Sequence, residues 1–188
     1  GQIVVCRGHL SPLVAMALPS GDELTELEVR QDPRLLRALD TVAPGNPLRE
    51  GIDNVVLAQT GGLILVADAD EVSFLFSGGI KLDYSPALLY QLVKMGGAIV
   101  FEPETNRICW ANVQLMPDPT ILSMESGTRH RTAERVSKQT KALVIAISQR
   151  RDVVSLYVDG AKYILEEIPA VLAKANQALA TLDKYRSR

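Results

Sequence analysis

One short stretch of the chain carries side chains suited to binding a charged ligand. Residues 127–132 read GTRHRT, and they open a helix that the pattern predicts over residues 128–140. Arg129, His130 and Arg131 therefore fall in its first turn. A helix N-terminus carries partial positive charge and free N–H groups, so each cation placed there costs about 0.3–1 kcal/mol. This cost is explained if an anion binds at the helix end.

A chain of phosphates is the anion that these groups suit best. The planar fork of a guanidinium matches phosphate oxygens, and the free N–H groups of the helix end donate beside it. Thr128 and Thr132 flank the cations and add two hydroxyl groups. The formal net charge of the chain is −2, so the positive patch is local and a general polybasic nucleic-acid binder is excluded.

The same residues have a plainer interpretation. Arg129 and Arg131 can form a solvated helix end that pairs with Glu125 and Glu134. Such surface ion pairs are common and contribute little to stability. From composition and spacing alone, both interpretations stay open.

Two glycine-containing triplets are weaker candidates. Residues 96–98 read GGA at a helix-to-strand turn, where glycine lets a ligand approach the backbone closely, although a plain left-handed turn is the simpler explanation. Residues 159–161 read DGA between two predicted strands, which indicates a hairpin turn and not a catalytic group.

The scarce residue types exclude several kinds of site. Cys6 and Cys109 provide neither a disulfide framework nor a thiolate zinc site. His9 and His130 are too few for a multi-histidine metal site within one subunit. The apolar residues of 3–18 are interrupted by charges and proline, short of the roughly 18 uninterrupted residues that a membrane helix needs. We therefore expect a cytoplasmic protein without a membrane anchor.

Alternating helices and strands must position the cationic cluster. The 188 residues, 47% hydrophobic, are enough for one domain with a substantial core. The pattern predicts an α/β fold, with a central mixed sheet of roughly seven strands flanked by helices. Helices are predicted over 32–42, 46–57, 85–93, 128–140 and 169–186. Strands are predicted over 63–68, 71–77, 98–102, 108–115, 142–148, 153–158 and 161–166.

Beyond these patterns, the chain from about 43 to 186 resembles the diadenylate cyclase domain of the DNA integrity scanning protein (DisA) family. GTRHRT before AER is the most specific part of the resemblance. The other matching segments are APGNPLREGI (43–52), TGGLILV (60–66), KMGGAIV (94–100), ANVQLMPDPTI (111–121), ESGTRHRTAERVSKQT (125–140), LVIAISQRR (143–151) and VLAKANQAL (171–179).

The resemblance implies a bacterial enzyme that makes a second messenger. Such domains condense two ATP molecules into cyclic di-AMP and release two pyrophosphates, with Mg²⁺ or Mn²⁺. Each subunit of a face-to-face homodimer holds one ATP, and the dimer lies within a larger homo-oligomer, an octamer in the family. Positioning and charge stabilisation supply most of the rate in chemistry of this kind.

The resemblance also assigns roles to individual residues. Arg129, His130 and Arg131 match the family's catalytic Arg-His-Arg motif, which holds the phosphates. The resemblance further implies that Thr128 and Thr132 bond phosphate or ribose. It implies that Leu115 packs on the adenine and that the backbone of Gly97 lies against the nucleotide. The ATP-binding residues implied are Gly97, Leu115, Thr128, Arg129, His130, Arg131, Thr132 and Ser148.

One position departs from the family pattern. Where the family has Asp-Gly-Ala, whose Asp binds the catalytic metal, this chain has Gly96 before Gly97 and Ala98. Either the domain is inactivated, or the metal is held mainly by the phosphates and His130. The expectation is a diadenylate cyclase weakened by Gly96. The alternatives are a catalytically silent module that binds ATP or cyclic di-AMP, and a structural oligomerisation domain with a vestigial site.

The resemblance also divides the chain. Residues 1–31 form an N-terminal extension of unknown role, for which an extra edge element is one interpretation. Residues 32–188 form the cyclase domain and end at the start of the family's helical spine. Full-length family members continue from the spine into a DNA-binding module, and we expect none within these 188 residues.

Overall fold

The computed structural model describes residues 17–19, 33–81, 86–149 and 153–165 of the chain. Within these ranges it contains five α-helices and eight strands. The helices are α1 Pro33–Thr41, α2 Pro47–Leu57, α3 Ala69–Val72, α4 Pro86–Lys94 and α5 Thr128–Thr140. The strands are β1 Ala17–Pro19, β2 Gly62–Val66, β3 Phe76–Ser77, β4 Ala98–Glu102, β5 Arg107–Leu115, β6 Leu143–Ile147, β7 Val154–Val158 and β8 Ala161–Leu165.

The strands form one mixed sheet, which confirms the predicted fold class. Their spatial order is β1-β8-β7-β6-β2-β4-β5-β3. Strands β2 and β4 run parallel, and the other neighbours pair antiparallel. The seven strands from β2 to β8 account for the expected sheet, and the short β1 adds an eighth at its edge through pairing with β8.

Helices cover both faces of this sheet. On one face, α1, α2 and α4 bury their apolar sides against β2, β6 and β7. On the other face, Ala133 and Val136 of α5 pack with Leu65 and Tyr157 in a second cluster. The central strands β2, β6 and β7 are buried along their whole length because they lie between two helical layers. This explains their continuous apolar sequences.

Local sequence signals explain where several elements begin. Asn46 caps α2 by accepting a hydrogen bond from the N–H of Leu48 at 2.9 Å, and Pro47 follows at the first helical position. Asp159 and Gly160 have φ values of +49° and +84°, which suit the tight turn between β7 and β8. Both predictions are therefore confirmed.

The predicted strand over 71–77 is wrong for most of its length. Residues 69–72 form α3, Ser73–Leu75 form one turn of 3-10 helix, and only Phe76–Ser77 pair as β3. The side chain of Asp68 accepts a hydrogen bond from the N–H of Asp70 at 2.9 Å, which caps the short helix. The apolar spacing here suited a helical turn as well as a strand, and the cap decided between them.

Two predictions concern the ends of the chain. The strand β1 confirms an edge element within residues 1–31, for residues 17–19. The helix predicted over 169–186 lies outside the described residues. Within the described part of the chain, no helix is long and apolar enough to cross a membrane.

Candidate functional site

A cavity of about 950 Å³ lies at the N-terminus of α5. It opens at the end of the sheet where β2 and β4 begin and where β5 and β6 end. Its lining combines apolar strand residues, glycines and the polar first turn of α5. The lining residues are Leu63, Ser77, Gly78, Gly97, Ala98, Asn112, Val113, Gln114, Leu115, Gly127, Thr128, Arg129, His130, Thr132 and Ser148.

The N-terminus of α5 is open toward this cavity. Gly127 occupies the capping position with extended backbone, and among the described residues no side chain caps the helix. The first hydrogen bond of the helix runs from the N–H of Arg131 to the carbonyl of Gly127, at 2.8 Å. The N–H groups before it have no acceptor within the helix, and the first turn contains no acid. An anion in the cavity is the acceptor that they suit.

Arg129 is held against the wall of the cavity. Its Nη1 lies 3.5 Å from the carbonyl oxygen of Ile147, and the guanidinium fills the space where a Cβ of Gly61 would lie. Burial lowers the pKa of this guanidinium, but arginine has so high an ordinary pKa that the group stays charged. A partly buried cation therefore faces the cavity without a carboxylate partner among the described ion pairs.

Arg131 does not join the other predicted residues. Its side chain is exposed and turns back along the preceding loop, where Nε donates to the carbonyl of Glu125 at 3.3 Å and Nη2 to that of Ser126 at 3.0 Å. It is absent from the cavity lining. The other seven predicted binding residues, Gly97, Leu115, Thr128, Arg129, His130, Thr132 and Ser148, line the same cavity.

The two glutamates that could have paired with these arginines bind lysines instead. Glu125 accepts from Lys162 at 2.8 Å, and Glu134 accepts from Lys138 at 2.6 Å. The alternative of a solvated helix end paired with these two glutamates therefore does not describe the structure.

Glu134 also fixes the loop that precedes α5. It is buried, and its Oε2 accepts from the Ser123 hydroxyl at 2.6 Å and from the N–H of Met124 at 3.1 Å. Burial raises the pKa of this carboxyl, but the Lys138 and Ser123 hydrogen bonds outweigh that effect and keep the pKa below its usual value. The Arg135 side chain adds a bond to the carbonyl of Ile121 at 2.8 Å.

His130 is hydrogen-bonded on the side of β7. Its Nδ1 lies 3.0 Å from the Tyr157 hydroxyl, which donates to Glu125 at 2.9 Å. Burial raises the pKa of Tyr157, and its hydrogen bond to Glu125 raises it further. Burial also raises the pKa of Glu125, but hydrogen bonds from Lys162 and Tyr157 dominate and hold that pKa below its usual value. Tyr157 is thus a neutral donor and Glu125 an anion.

Gly97 brings the cavity floor close to strand β5. It has a φ of +70°, and a Cβ at this position would lie 2.9 Å from the backbone of Asn112 and Val113. Only glycine accommodates both the backbone conformation and the contact. Leu115, at the end of β5, adds an apolar side chain to the same floor.

Gly96 has no side chain that could bind a metal or line the cavity. It is exposed, has a φ of +83°, and leaves open space where a Cβ would lie. Within the described residues, no group of three or more His, Cys, Asp or Glu side chains can hold a metal ion. The described lining of the cavity contains no carboxylate, the ligand by which proteins usually hold Mg²⁺, so these residues do not fit a divalent ion held mainly by the protein.

Several residues of the site were missed by sequence reasoning. Gly61, Asn112 and Gln114 lie in segments that match the family, but no role was assigned to them, and their positions follow from strand pairing. The contribution of Tyr157 and Lys162 was missed because both belong to the hairpin β7–β8, distant in sequence from α5. Residue periodicity gave no signal for Tyr157, since β7 is buried throughout.

Comparison with known proteins identifies the class of this fold and site. A model of the family described as DisA bacterial checkpoint controller nucleotide-binding (DAC) matches residues 49–162, more than half of the chain. This range contains Arg129, His130 and Arg131 at the start of α5, together with most of the sheet. The chain therefore belongs to this diadenylate cyclase family.

Curated relatives agree with this assignment. The chain is 55% identical over 159 residues to the DNA integrity scanning protein DisA of Carboxydothermus hydrogenoformans, covering 84% of this chain and 45% of that protein. It is 49% identical over 161 residues to DisA of Clostridium botulinum strain Langeland, covering 85% and 46% respectively. The chain thus spans less than half the length of these relatives.

Solved structures share the fold at lower identity. A hypothetical membrane spanning protein from Bacillus cereus superposes with a TM-score of 0.57 at 22% identity, covering 71% of this chain and 72% of that one. A double mutant of DacA from Staphylococcus aureus superposes with a TM-score of 0.52 at 22% identity, covering 64% and 85%. These two matches support the fold.

Proposed function

We propose that this domain binds ATP in the cavity at the N-terminus of α5 and condenses two ATP molecules into cyclic di-AMP and two pyrophosphates. The observation that carries the proposal is an uncapped helix N-terminus with Arg129 beside it, open to a cavity of about 950 Å³. That combination suits a polyphosphate. Membership of the diadenylate cyclase family supports the choice of ATP as the ligand.

Within the cavity, the proposed roles follow the chemistry of each group. The first-turn N–H groups of α5 and the Arg129 guanidinium bind phosphate oxygens, with Thr128 and Thr132 adding hydroxyl donors. Leu115 and the backbone of Gly97 lie against the adenine, and Ser148 is a further phosphate contact. His130 donates to phosphate when its ring is protonated.

Arg131 needs a separate account because it points away from the cavity. Its two bonds to loop carbonyls are solvent-exposed and therefore contribute little net stability. We propose that Arg131 gives up these two carbonyl bonds when a phosphate binds. Its guanidinium then donates two charge-assisted hydrogen bonds to the phosphate. The gain from such bonds exceeds the loss of neutral, exposed ones.

The reaction needs two nucleotides, and one cavity of this size suits one. We propose that two subunits face each other as a homodimer, so that the 3′-hydroxyl of each ATP attacks the α-phosphate of the other and pyrophosphate leaves. The chain supplies no nucleophile of its own in this scheme. Its part is to orient the two nucleotides and stabilise phosphate charge, which are the main sources of rate in phosphoryl transfer. The larger homo-oligomer and the cytoplasmic location stay predictions.

The expected Mg²⁺ or Mn²⁺ does not enter this scheme as a protein-held ion. A divalent cation neutralises phosphate charge in reactions of this type, but the described residues do not fit one here. We therefore assign no step to a metal bound by this chain. Weak turnover is the expected result.

A second function is favoured by Gly96. Because the position that holds a carboxylate in the family pattern has no side chain here, the domain can retain ATP or cyclic di-AMP without turnover. The site residues needed to bind phosphates are the same in both proposals. The two differ only in whether product forms.

We also propose the chain's division into an extension at 1–31 and a cyclase domain from 32 to 188 that ends where a spine helix begins. The family match over 49–162 falls inside the second part. Cyclase activity of the isolated 32–188 segment tests this division, because loss of activity on removing 1–31 would contradict it.

One experiment separates the two functions. The chain is incubated with labelled ATP and either Mg²⁺ or Mn²⁺, products are separated, and ATP affinity is measured by calorimetry. Cyclic di-AMP formation supports the cyclase, whereas clear binding with zero conversion at high protein concentration supports the silent module. An Arg129→Ala variant serves as the control, and absence of ATP binding by the unmodified chain would reject both.

A further inference from the structure

A chain of hydrogen bonds leads from the β7–β8 hairpin to the imidazole of His130. Lys162 and Tyr157 both donate to Oε1 of Glu125, at 2.8 and 2.9 Å, and the Tyr157 oxygen lies 3.0 Å from Nδ1 of His130. The Arg-His-Arg motif includes His130, and Glu125 begins the matching segment 125–140, but the resemblance gave no role to Glu125, Tyr157 or Lys162. Their arrangement determines the direction of each hydrogen bond.

The proton positions follow from which groups can only accept. An ionised carboxylate has no hydrogen to donate, so both groups at Glu125 Oε1 are donors. Tyr157 has a single hydroxyl hydrogen, and that hydrogen is directed to Glu125. The raised pKa of Tyr157 means that it keeps this hydrogen. Toward His130, therefore, the Tyr157 oxygen offers only lone pairs.

The imidazole must then be the donor in its bond to Tyr157. A neutral histidine has one protonated and one unprotonated ring nitrogen, and the partner of one nitrogen determines the state of the other. With Nδ1 carrying the proton, Nε2 has the lone pair. Because His130 lines the cavity and its Nδ1 is bonded to Tyr157, Nε2 is the ring nitrogen that can contact a ligand.

We propose that Tyr157 and Glu125 are positioning residues for His130. They keep a proton on Nδ1, so that Nε2 faces the cavity and is the nitrogen that takes up a proton and donates to a phosphate. The inference concerns the role of His130 in the site and rests on the proposed function for the identity of the ligand. It gives Tyr157 and Glu125 a role in the site that the family resemblance does not assign.

Packing makes Tyr157 a rigid support for this arrangement. Its side chain is completely buried in the cluster between α5 and the sheet, and its ring lies 6.2 Å from that of His130. Lys162 holds Glu125 from the other side, so the acceptor of the Tyr157 hydrogen is fixed as well. A ring oriented before the ligand arrives loses less freedom on binding.

The tautomer is measured directly by nitrogen NMR of histidine-labelled protein, without ATP, at a pH where the ring is neutral. His9 and His130 are the chain's two histidines, and a His130→Gln variant assigns the signals. The unmodified protein is expected to show a protonated Nδ1 and an unprotonated Nε2. A spectrum of the Nε2-protonated form, which histidine prefers in water, would overturn the proposal.

Tyr157→Phe removes the hydroxyl and keeps the ring. We expect the fixed tautomer to be lost. ATP affinity should fall about 3- to 10-fold, because the protonated ring that donates to phosphate from Nε2 no longer has an acceptor for its Nδ1 proton. Tyr90→Phe is the matched control, because Tyr90 packs against the opposite face of the sheet. It should change neither quantity. A Tyr157→Phe spectrum equal to that of the unmodified protein would overturn the proposal.

Glu125→Gln tests the same idea if the phenylalanine variant fails to fold. An amide both donates and accepts, so it no longer forces Tyr157 to donate to it, and the fixed tautomer should again be lost. A retained tautomer in this variant contradicts the inference. The outcomes also separate the two proposals: normal ATP binding with an unfixed tautomer rejects this inference alone, and a fixed tautomer without ATP binding rejects the proposed ligand alone.

Discussion

Two turns with nearly the same letters occupy very different places in the molecule. Residues 96–98 read GGA at the start of β4, and residues 159–161 read DGA in the β7–β8 hairpin. In both turns the first two residues have positive φ. The GGA turn borders the cavity through Gly97, whereas Asp159 forms an exposed ion pair with Arg34 at 2.8 Å. Position in the sheet, and not the letters of the triplet, therefore decides which of the two turns borders the cavity.

The largest expected effect comes from giving the first turn the acid that it lacks. Gly96→Asp places a carboxylate in open space beside the cavity, at a cost of about 1–3 kcal/mol in stability because φ is +83°. If this carboxylate binds the metal, cyclase turnover should rise about 100-fold or more, since metal charge stabilisation contributes several kcal/mol. Product formation from labelled ATP measures the rate.

Gly96→Asn is the control for that variant. It has the shape of Asp without the charge, and it tolerates positive φ comparably. It should leave turnover unchanged. An unchanged rate in Gly96→Asp itself would show that a metal, if required, binds elsewhere.

Adding a methyl group to the second residue of each turn compares how much stability the two turns lose. In Gly97→Ala the Cβ meets the fixed backbone of Asn112 and Val113 at 2.9 Å, and φ is +70°. We expect a loss of about 3 kcal/mol from strain and overpacking together. Denaturant unfolding with an unchanged slope measures this loss, and a variant as stable as the parent would show that β5 moves away freely.

Gly160→Ala is the counterpart at the hairpin. Its Cβ would lie 2.7 Å from Cγ of Lys138, a side chain that is held by Glu134 but can shift more easily than backbone, so the strain is smaller than at Gly97. The expected loss is about 1 kcal/mol. A thermal unfolding series compares the two alanine variants directly. Equal losses would contradict the distinction between a backbone contact and a side-chain contact.

The smallest effect is expected from the acid of the second turn. Asp159→Asn removes the ion pair with Arg34, whose partners are both nearly half exposed, and costs about 0.5 kcal/mol or less. Cyclase turnover and ATP affinity should not change. A substantial drop in turnover would mean that the hairpin triplet, and not the turn at Gly96, carries the metal carboxylate.

Much of the fold could be predicted from the sequence because the signals that begin and end helices and strands depend on neighbouring residues. The cap at Asn46, the hairpin at Asp159 and the buried strands were predictable from neighbours in the chain. The helical turns within 71–77 were not predictable, because the spacing of Val72 and Leu75 fits a helical turn and a strand equally well. The hydrogen bond from the N–H of Asp70 to the side chain of Asp68 favours the helix.

The site was predictable in part for a similar reason. The helix start and its cations stand together in sequence, so the phosphate hypothesis followed from local chemistry and the family resemblance. The direction of Arg131 was not predictable, because it depends on carbonyls in the preceding loop. The support of His130 by Tyr157 and Lys162 depends on a hairpin packed against α5, which only the tertiary structure reveals.

Calorimetric titration of ATP into the unmodified chain and into Arg129→Ala shows whether the open end of α5 binds a triphosphate. Arg129 contributes charge-assisted bonds at the open end of α5, and its loss should weaken ATP binding about tenfold or more. We expect saturable binding of ATP to the unmodified chain, and weaker binding to an Arg129→Ala variant that stays folded. Equal affinity in the two proteins would contradict it.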